Sequence, residues 1–272
     1  MCYYRRKSTG FGANVRNVSL FDTPGHRFIL LNESGSGESD GIRSNQYLIL
    51  HENNGVLLDP GGFDVMPRVL AEMLRHIGPD NLKAIILSHQ DPDIVGGIST
   101  WIELTDAPIY ISRIWTRFLP HYGIRHLNRF IGVADEGMRC DIATDFELQL
   151  VPAHFLHSEG QLNVYDPRSK ILFSGDIGTA VMPEHMDPVW VDDFTAHLPY
   201  IENFHRRYMC SNRAAKIWVD AVSALDVAMI APQHGPVYRG VAVREFLDWF
   251  GRLECGVDLL GADGRFRMDA QG

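Results

Sequence analysis

Four times in this chain a short apolar run ends, and a histidine or aspartate follows within a few residues beside glycine or proline. The first case is Ile85-Ile86-Leu87-Ser88-His89-Gln90-Asp91-Pro92-Asp93-Ile94-Val95-Gly96-Gly97. The second follows residues 147–151 and reads Pro152-Ala153-His154-Phe155-Leu156-His157-Ser158-Glu159-Gly160. The third is Leu172-Phe173-Ser174-Gly175-Asp176-Ile177-Gly178, and the fourth is Ile230-Ala231-Pro232-Gln233-His234-Gly235-Pro236. Short apolar runs bounded by such residues read as buried strands. All four therefore release a titratable side chain at a strand exit, which calls for a layered β-scaffold with its polar groups gathered on one rim.

Within the first segment, His89, Asp91 and Asp93 alternate. In an extended loop alternate side chains point the same way, so the three can converge on one cation. Pro92 stiffens the turn, and Gly96-Gly97 permits tight backbone geometry before the next helix. The competing reading is a polar turn in which the aspartates cap that helix. A single histidine is more often a packing or surface residue than a ligand. Four strand ends that share the pattern favour a metal cluster built from His89, Asp91, Asp93, His157, Asp176 and His234.

Further strands are expected at 18–21, 27–31, 46–50, 56–58, 82–87, 147–151, 161–165, 171–173 and 229–231. Helices are expected at 67–77, 97–104, 113–122, 201–210, 214–225 and 241–253. Strands capped by helices in both halves predict two sheets face to face with helices outside. We read residues 1–272 as one domain with its core at about 18–253, and 32–41 as a surface loop. With 45% hydrophobic and 22% charged residues the composition is that of a soluble globular protein. A formal net charge of -9 excludes nucleic acid as a main partner, because phosphate binding calls for a basic face. Cys2, Cys140, Cys210 and Cys255 form no Cys-x-x-Cys pair, which implies reduced thiols and a cytoplasmic location. Residues 1–10 carry Arg5, Arg6 and Lys7 without a following apolar stretch, so no signal peptide is expected. No run reaches the roughly 20 apolar residues a membrane span needs.

The order His-x-acid-x-Asp, His, Gly-Asp, His-Gly resembles the metallo-β-lactamase superfamily over about residues 18–253. That resemblance implies an α/β (α+β) fold, the αβ/βα four-layer sandwich. Two departures from the zinc hydrolases' His-x-His-x-Asp-His are evident: Asp91 replaces the second histidine and Ile94 the last. A carboxylate at the second position is similar to the flavo-diiron proteins. Residues 153–158 and 173–178 resemble more closely the oxygen-binding diiron proteins (ODP) of that branch, which lack the flavodoxin module.

The resemblance implies one ion on His89, Asp91 and His157, a second on Asp93 and His234, and Asp176 between them. Carboxylate-rich sites suit harder ions, so two irons are expected, with two zincs as the alternative. O2 or another small diatomic such as NO is then the ligand, and reduction would draw on an external electron donor. Two other functions stay open: a zinc hydrolase of an ester, thioester or lactone, and an oxygen-sensing module without turnover. Flavo-diiron relatives also imply a homodimer. Asp176, His154 and Tyr208 are the candidates for direct roles in the chemistry, Tyr208 as a hydrogen-bond donor; core packing is the favoured alternative for Tyr208, and an ordinary strand-end position the alternative for His154. Ile94 cannot ligate; it leaves an open position beside an apolar wall, or it packs in the core while His154 fills the vacancy. His51, His76, His121, His126, His185, His197 and His205 are read as surface or packing residues, and the five tryptophans as core or helix-face aromatics.

Overall fold

The computed structural model describes residues 17–31, 43–183 and 186–267. The N-terminal stretch 1–10, the loop expected at 32–41 and His185 lie outside the described residues. The first sheet runs β1 (Val18–Thr23), β2 (His26–Leu30), β3 (Tyr47–His51), β4 (Asn54–Leu58), β5 (Leu82–Ile86), β6 (Ile109–Ser112) and β7 (Phe130–Val133), in that spatial order. Its pairs are antiparallel as far as β4 and parallel from β4 onward. The second sheet contains β8 (Met138–Ala143), β9 (Phe146–Pro152), β10 (Leu162–Asp166), β11 (Ile171–Gly175), β12 (Trp190–Val191), β13 (Met229–Pro232) and β14 (Val237–Arg239). Its order is β12-β14-β13-β11-β10-β9-β8.

Strand periodicity builds the layers. Along β3 every residue is buried, yet Tyr47 and Ile49 face the second sheet while Leu48 and Leu50 face helices. The outer face of the first sheet packs on α1 (Met66–Met73), α2 (Pro92–Val95) and α3 (Ile98–Leu104) through Met66, Val69, Ile98 and Trp101. The outer face of the second packs on α4 (Phe194–Tyr208), α5 (Asn212–Ser223) and α6 (Val241–Phe250) through Ile201, Trp218, Phe246 and Phe250. Between the sheets Phe28, Tyr47, Ile49 and Ile86 meet Leu148, Val164, Ile171 and Phe173. The result is the expected αβ/βα four-layer sandwich.

The parallel pairs decide where the exits lie. β4 and β5 run side by side in one direction, so Asp59 and His89 emerge at the same end. β11 and β13 are parallel to each other, and β9 joins that direction because two antiparallel steps separate it from β11. The exits carrying His157, Asp176 and His234 therefore share an end as well. Cross-sheet bonds close this rim: Leu162 N–H donates to the Ser88 carbonyl at 2.8 Å and Tyr47 Oη–H to the Pro232 carbonyl at 2.8 Å.

Three expectations need correction. The segment 113–122 is a 3-10 turn series rather than an α-helix, with Pro120 inside it and left-handed Gly123 ending it. α4 begins at Phe194, seven residues before the expected 201, with Pro199 inside the helix. Its start is fixed instead by the Asp193 carboxylate, which accepts from Ala196 N–H at 3.1 Å. β6, β7, β8, β12 and β14 were not expected; each is short or only partly buried.

Candidate metal centre

Asp176 follows β11 directly and stands at the middle of the rim, with its side chain 6% exposed. Its two oxygens face different neighbours. Oδ2 lies 3.2 Å from His157 Nε2 and 3.6 Å from His89 Nε2. Oδ1 lies 3.4 Å from His234 Nε2. Asp91 Oδ2 completes the first group, 3.0 Å from His157 Nε2 and 3.6 Å from His89 Nε2. Asp93 Oδ2 completes the second, 3.3 Å from His234 Nε2. Donors about 2.1 Å from one ion are separated by roughly 3.0 Å at right angles and 3.4 Å in a tetrahedron; the donor atoms of His89, Asp91 and His157 lie within 4.8 Å of one another, close to that spacing, and His234 stands at like distances from Asp93 and Asp176. Among the described residues no lysine or arginine lines the cavity above them, which leaves the three carboxylates facing only imidazoles. The six residues thus have the donor chemistry to hold cations on either side of Asp176.

Asp91 occupies the N-cap position of α2, yet its side chain accepts nothing from the helix and turns to His157. The capping alternative fails for that reason. Convergence also differs from the expected extended loop, because Asp93 already lies inside the turn that starts at Pro92. His157 has φ of 73° and Phe155 of 62°, left-handed values for side chains that avoid them. Such backbone costs of order 1–3 kcal/mol per residue and persists where surrounding structure enforces it.

The imidazoles are oriented from behind. His89 Nδ1–H donates to Ser88 Oγ at 2.9 Å, and Ser88 Oγ–H donates to Asp59 Oδ2 at 2.6 Å. Asp59 Oδ1 accepts from Ser88 N–H at 2.7 Å. His234 Nδ1–H donates to the Arg43 carbonyl at 2.6 Å. Both tautomers leave Nε2 free toward the centre, the arrangement that metal-binding histidines need. Burial would depress the His234 imidazole, but Asp93, Asp176 and the Arg43 carbonyl outweigh it and push it up to about 9. His89 is raised too, Asp91, Asp176 and Asp59 overcoming its burial. Asp91 is held well below the usual carboxylate range by His157 and His89. A cation taking the site therefore displaces protons from imidazole, and its affinity falls as pH falls.

Asp59 went unnoticed in the sequence although Leu57-Leu58-Asp59-Pro60-Gly61-Gly62 carries the same strand-exit signature as the other segments. It is 1% exposed, and burial, opposed by His89 and Ser88, pushes its carboxyl up to about 7. Asp59→Ala removes the acceptor that fixes Ser88 and through it His89. We expect metal affinity to fall about 10–100-fold, read as faster release to a chelator; an unchanged release profile would show that Ser88 alone orients the ring.

Not every expected residue reaches the centre. His154 is turned away: its Nδ1 lies 3.2 Å from the Glu159 carbonyl and its Nε2 2.8 Å from the Asp135 carbonyl. It fills no vacancy at the second ion. Ile94 is fully buried in the cluster between the first sheet and its helices, so it forms no wall of the site. The apolar lining comes from Phe63, Val65, Val181, Phe204 and Tyr208, around a cavity of about 650 Å³. Tyr208 stacks on Phe204 with centroids 4.8 Å apart and its ring stands 5.7 Å from that of His157, at the mouth rather than in the core.

Fold and site together define a metallo-β-lactamase-type protein whose rim gathers three histidines and three carboxylates. The family model for the ODP family beta lactamase matches residues 42–235, and the chain belongs to that family. The apo state of chemotaxis sensor ODP from T. denticola superposes with a TM-score of 0.79 at 43% identity, covering 90% of this chain and 97% of that one. A structure described as the peroxy diiron species of chemotaxis sensor ODP gives a TM-score of 0.80 at 42% identity, over 89% of this chain and 97% of the other. The putative diflavin flavoprotein A 4 of Synechocystis sp. is 28% identical over 220 residues, 78% of this chain. The chain spans 36% of that flavoprotein's length. No helix among the described residues is long and apolar enough to cross a membrane.

Proposed function

We propose that this protein binds dioxygen at a pair of iron ions and serves as an oxygen sensor, with reduction of O2 or NO a slower path fed by an external electron donor. The single observation that carries this reading is Asp176, whose two oxygens face separate histidine–aspartate groups. On this reading His89, Asp91 and His157 hold one iron, Asp93 and His234 the other, and Asp176 both. Iron held there would supply the redox chemistry that O2 binding requires. Three carboxylates stabilise the oxidised state, as hard anionic donors do. Phe204, Val181 and Phe63 line the approach with apolar surface, which admits a diatomic gas, while Asp91 and Asp93 stay partly open to solvent. Kinship with a protein named as a chemotaxis sensor supports sensing over turnover. A cytoplasmic location belongs to the same reading, since Cys140, Cys210 and Cys255 are free thiols.

The zinc-hydrolase reading keeps one observation in its favour: a cavity of about 650 Å³ exceeds what a diatomic ligand requires. One preparation separates the two. Protein made with iron and zinc both available, and purified without oxygen, is analysed for metals and then titrated with O2. Two irons per chain and a near-ultraviolet to visible charge-transfer band on O2 addition are expected. Two zincs with cleavage of a chromogenic ester would overturn the iron reading.

A further inference from the structure

Ile94 stands where the motif would otherwise supply the second ion with a histidine, and Asp93, Asp176 and His234 alone serve that side. Two more polar side chains reach it: Thr179, whose hydroxyl donates to Asp176 Oδ1 at 3.1 Å, and Gln233. Gln233 is 1% exposed, and its backbone is tied to β11 and to the segment before β3: its N–H donates to the Gly175 carbonyl at 2.8 Å and its carbonyl accepts from Asn45 N–H at 2.6 Å. Its amide lies against the centre, with Nε2 2.8 Å from Asp93 Oδ2, the same oxygen that faces His234. The other end of the amide, Oε1, is buried without a hydrogen-bond partner among the described residues.

We infer that the Gln233 side-chain amide supplies an oxygen donor to the ion held by Asp93 and His234, in the place Ile94 leaves vacant. A carboxamide presents either nitrogen or oxygen by a half-turn about its last bond. Nothing on the far side of this amide pins it, so the charge of the centre decides which atom faces inward. Carboxylates alone attract the N–H₂ group, and a cation between them attracts the oxygen. The distance to Asp93 Oδ2, 2.8 Å, is near the roughly 3.0 Å between neighbouring donors on one ion. A neutral amide oxygen is a weaker donor than imidazole, so the second ion is held less tightly than the first and is the first to leave.

This inference rests on the two-ion reading above, and its test separates the two. Parent protein, Gln233→Leu and Gln233→Glu are loaded anaerobically with Fe(II) alone, challenged with a chelator and counted for iron, and the metal-free forms are melted to compare folding. Gln233→Leu is expected to hold one iron per chain after the challenge, with at least a ~10-fold loss of affinity for the second. Gln233→Glu keeps an oxygen in place and is expected to retain two irons at least as well as the parent. Two irons retained equally by the Leu variant would overturn the inference. So would loss of the second iron in the Glu variant, because that result assigns Gln233 to donating an N–H to Asp93. A parent chain that binds no iron would fail the centre itself.

Discussion

Replacing Asp176 by alanine is expected to take the centre from two ions to fewer than one per chain while the fold persists. The side chain is the one that faces both groups, with Oδ2 toward His157 and His89 and Oδ1 toward His234. Its removal strips a donor from each ion and also the anion that lets two cations sit side by side. A loss of at least ~100-fold in affinity, about 2.7 kcal/mol, is expected at each position. Asp176→Asn makes a sharper comparison. Its single oxygen can serve one ion, but the N–H₂ end repels the other, so one iron should remain where the parent holds two. Elemental analysis of anaerobically purified protein reads both variants, and circular dichroism checks the fold. Asp176 lies in a loop beyond β11 and outside the apolar clusters, so metal-free stability should change little. Two irons in the alanine variant would show that Asp176 is not shared.

The sequence made this residue findable because it follows Phe173-Ser174-Gly175, and the same logic located His89, His157 and His234. Strand exits are legible: a buried strand is dense in apolar residues, and its end is marked by glycine or proline. What happens after the exit is much less so. His154 sits three residues before His157 and looked like its companion, yet positive φ at Phe155 and again at His157 breaks the alternation and sends the two rings apart. Gln233 and His234 are adjacent, so extended geometry would point them to opposite sides; both nevertheless reach Asp93 Oδ2, just before left-handed Gly235. Ile94 misled in the same manner. A helical turn starting at Pro92 aims Asp93 at the centre and rotates the next side chain into the core. Side-chain direction in such loops depends on backbone angles that tertiary contacts impose, and composition does not carry them.

Those contacts come largely from behind the site. Gly178, two residues past Asp176, is held at both ends: its N–H donates to His205 Nε2 at 2.9 Å, and its carbonyl accepts from Tyr238 Oη–H at 2.9 Å. At φ of +95° the position suits glycine, and an added Cβ would press on the Tyr238 ring at 3.0 Å. The loop that carries Asp176 is thereby anchored to α4 and to β14, against the aromatic packing of Phe246, Trp249 and Phe250 around His205.

Acid is expected to undo that anchor. His205 is fully buried, Nδ1–H donates to the Ile201 carbonyl at 2.7 Å, and Nε2 must stay unprotonated to accept from Gly178. Burial holds its imidazole down at about 4, below the ordinary 6.5, against the raising influence of the Ile201 carbonyl and Asp176. The unfolded chain therefore binds the proton first. Stability is complete above pH 6.5, declines as pH falls toward 4, and is flat below that as far as this residue is concerned. At about 1.4 kcal/mol for each pH unit, His205 alone withdraws about 3 kcal/mol across the window. His197, lowered to about 4 by burial, adds to the same slope. The centre's own His234 acts with the opposite sign: raised to about 9, its contribution is full below pH 6.5 and is lost as pH rises from there to 9. Urea denaturation of metal-free protein between pH 8 and 4 reads the slope. Gln at position 205 keeps one donor and one acceptor without a titrating group. His205→Gln should be less stable than the parent at pH 8 through poorer packing, and the gap should narrow by about 3 kcal/mol on acidification. A gap that stays constant with pH would mean that His205 is not the neutral acceptor that holds Gly178.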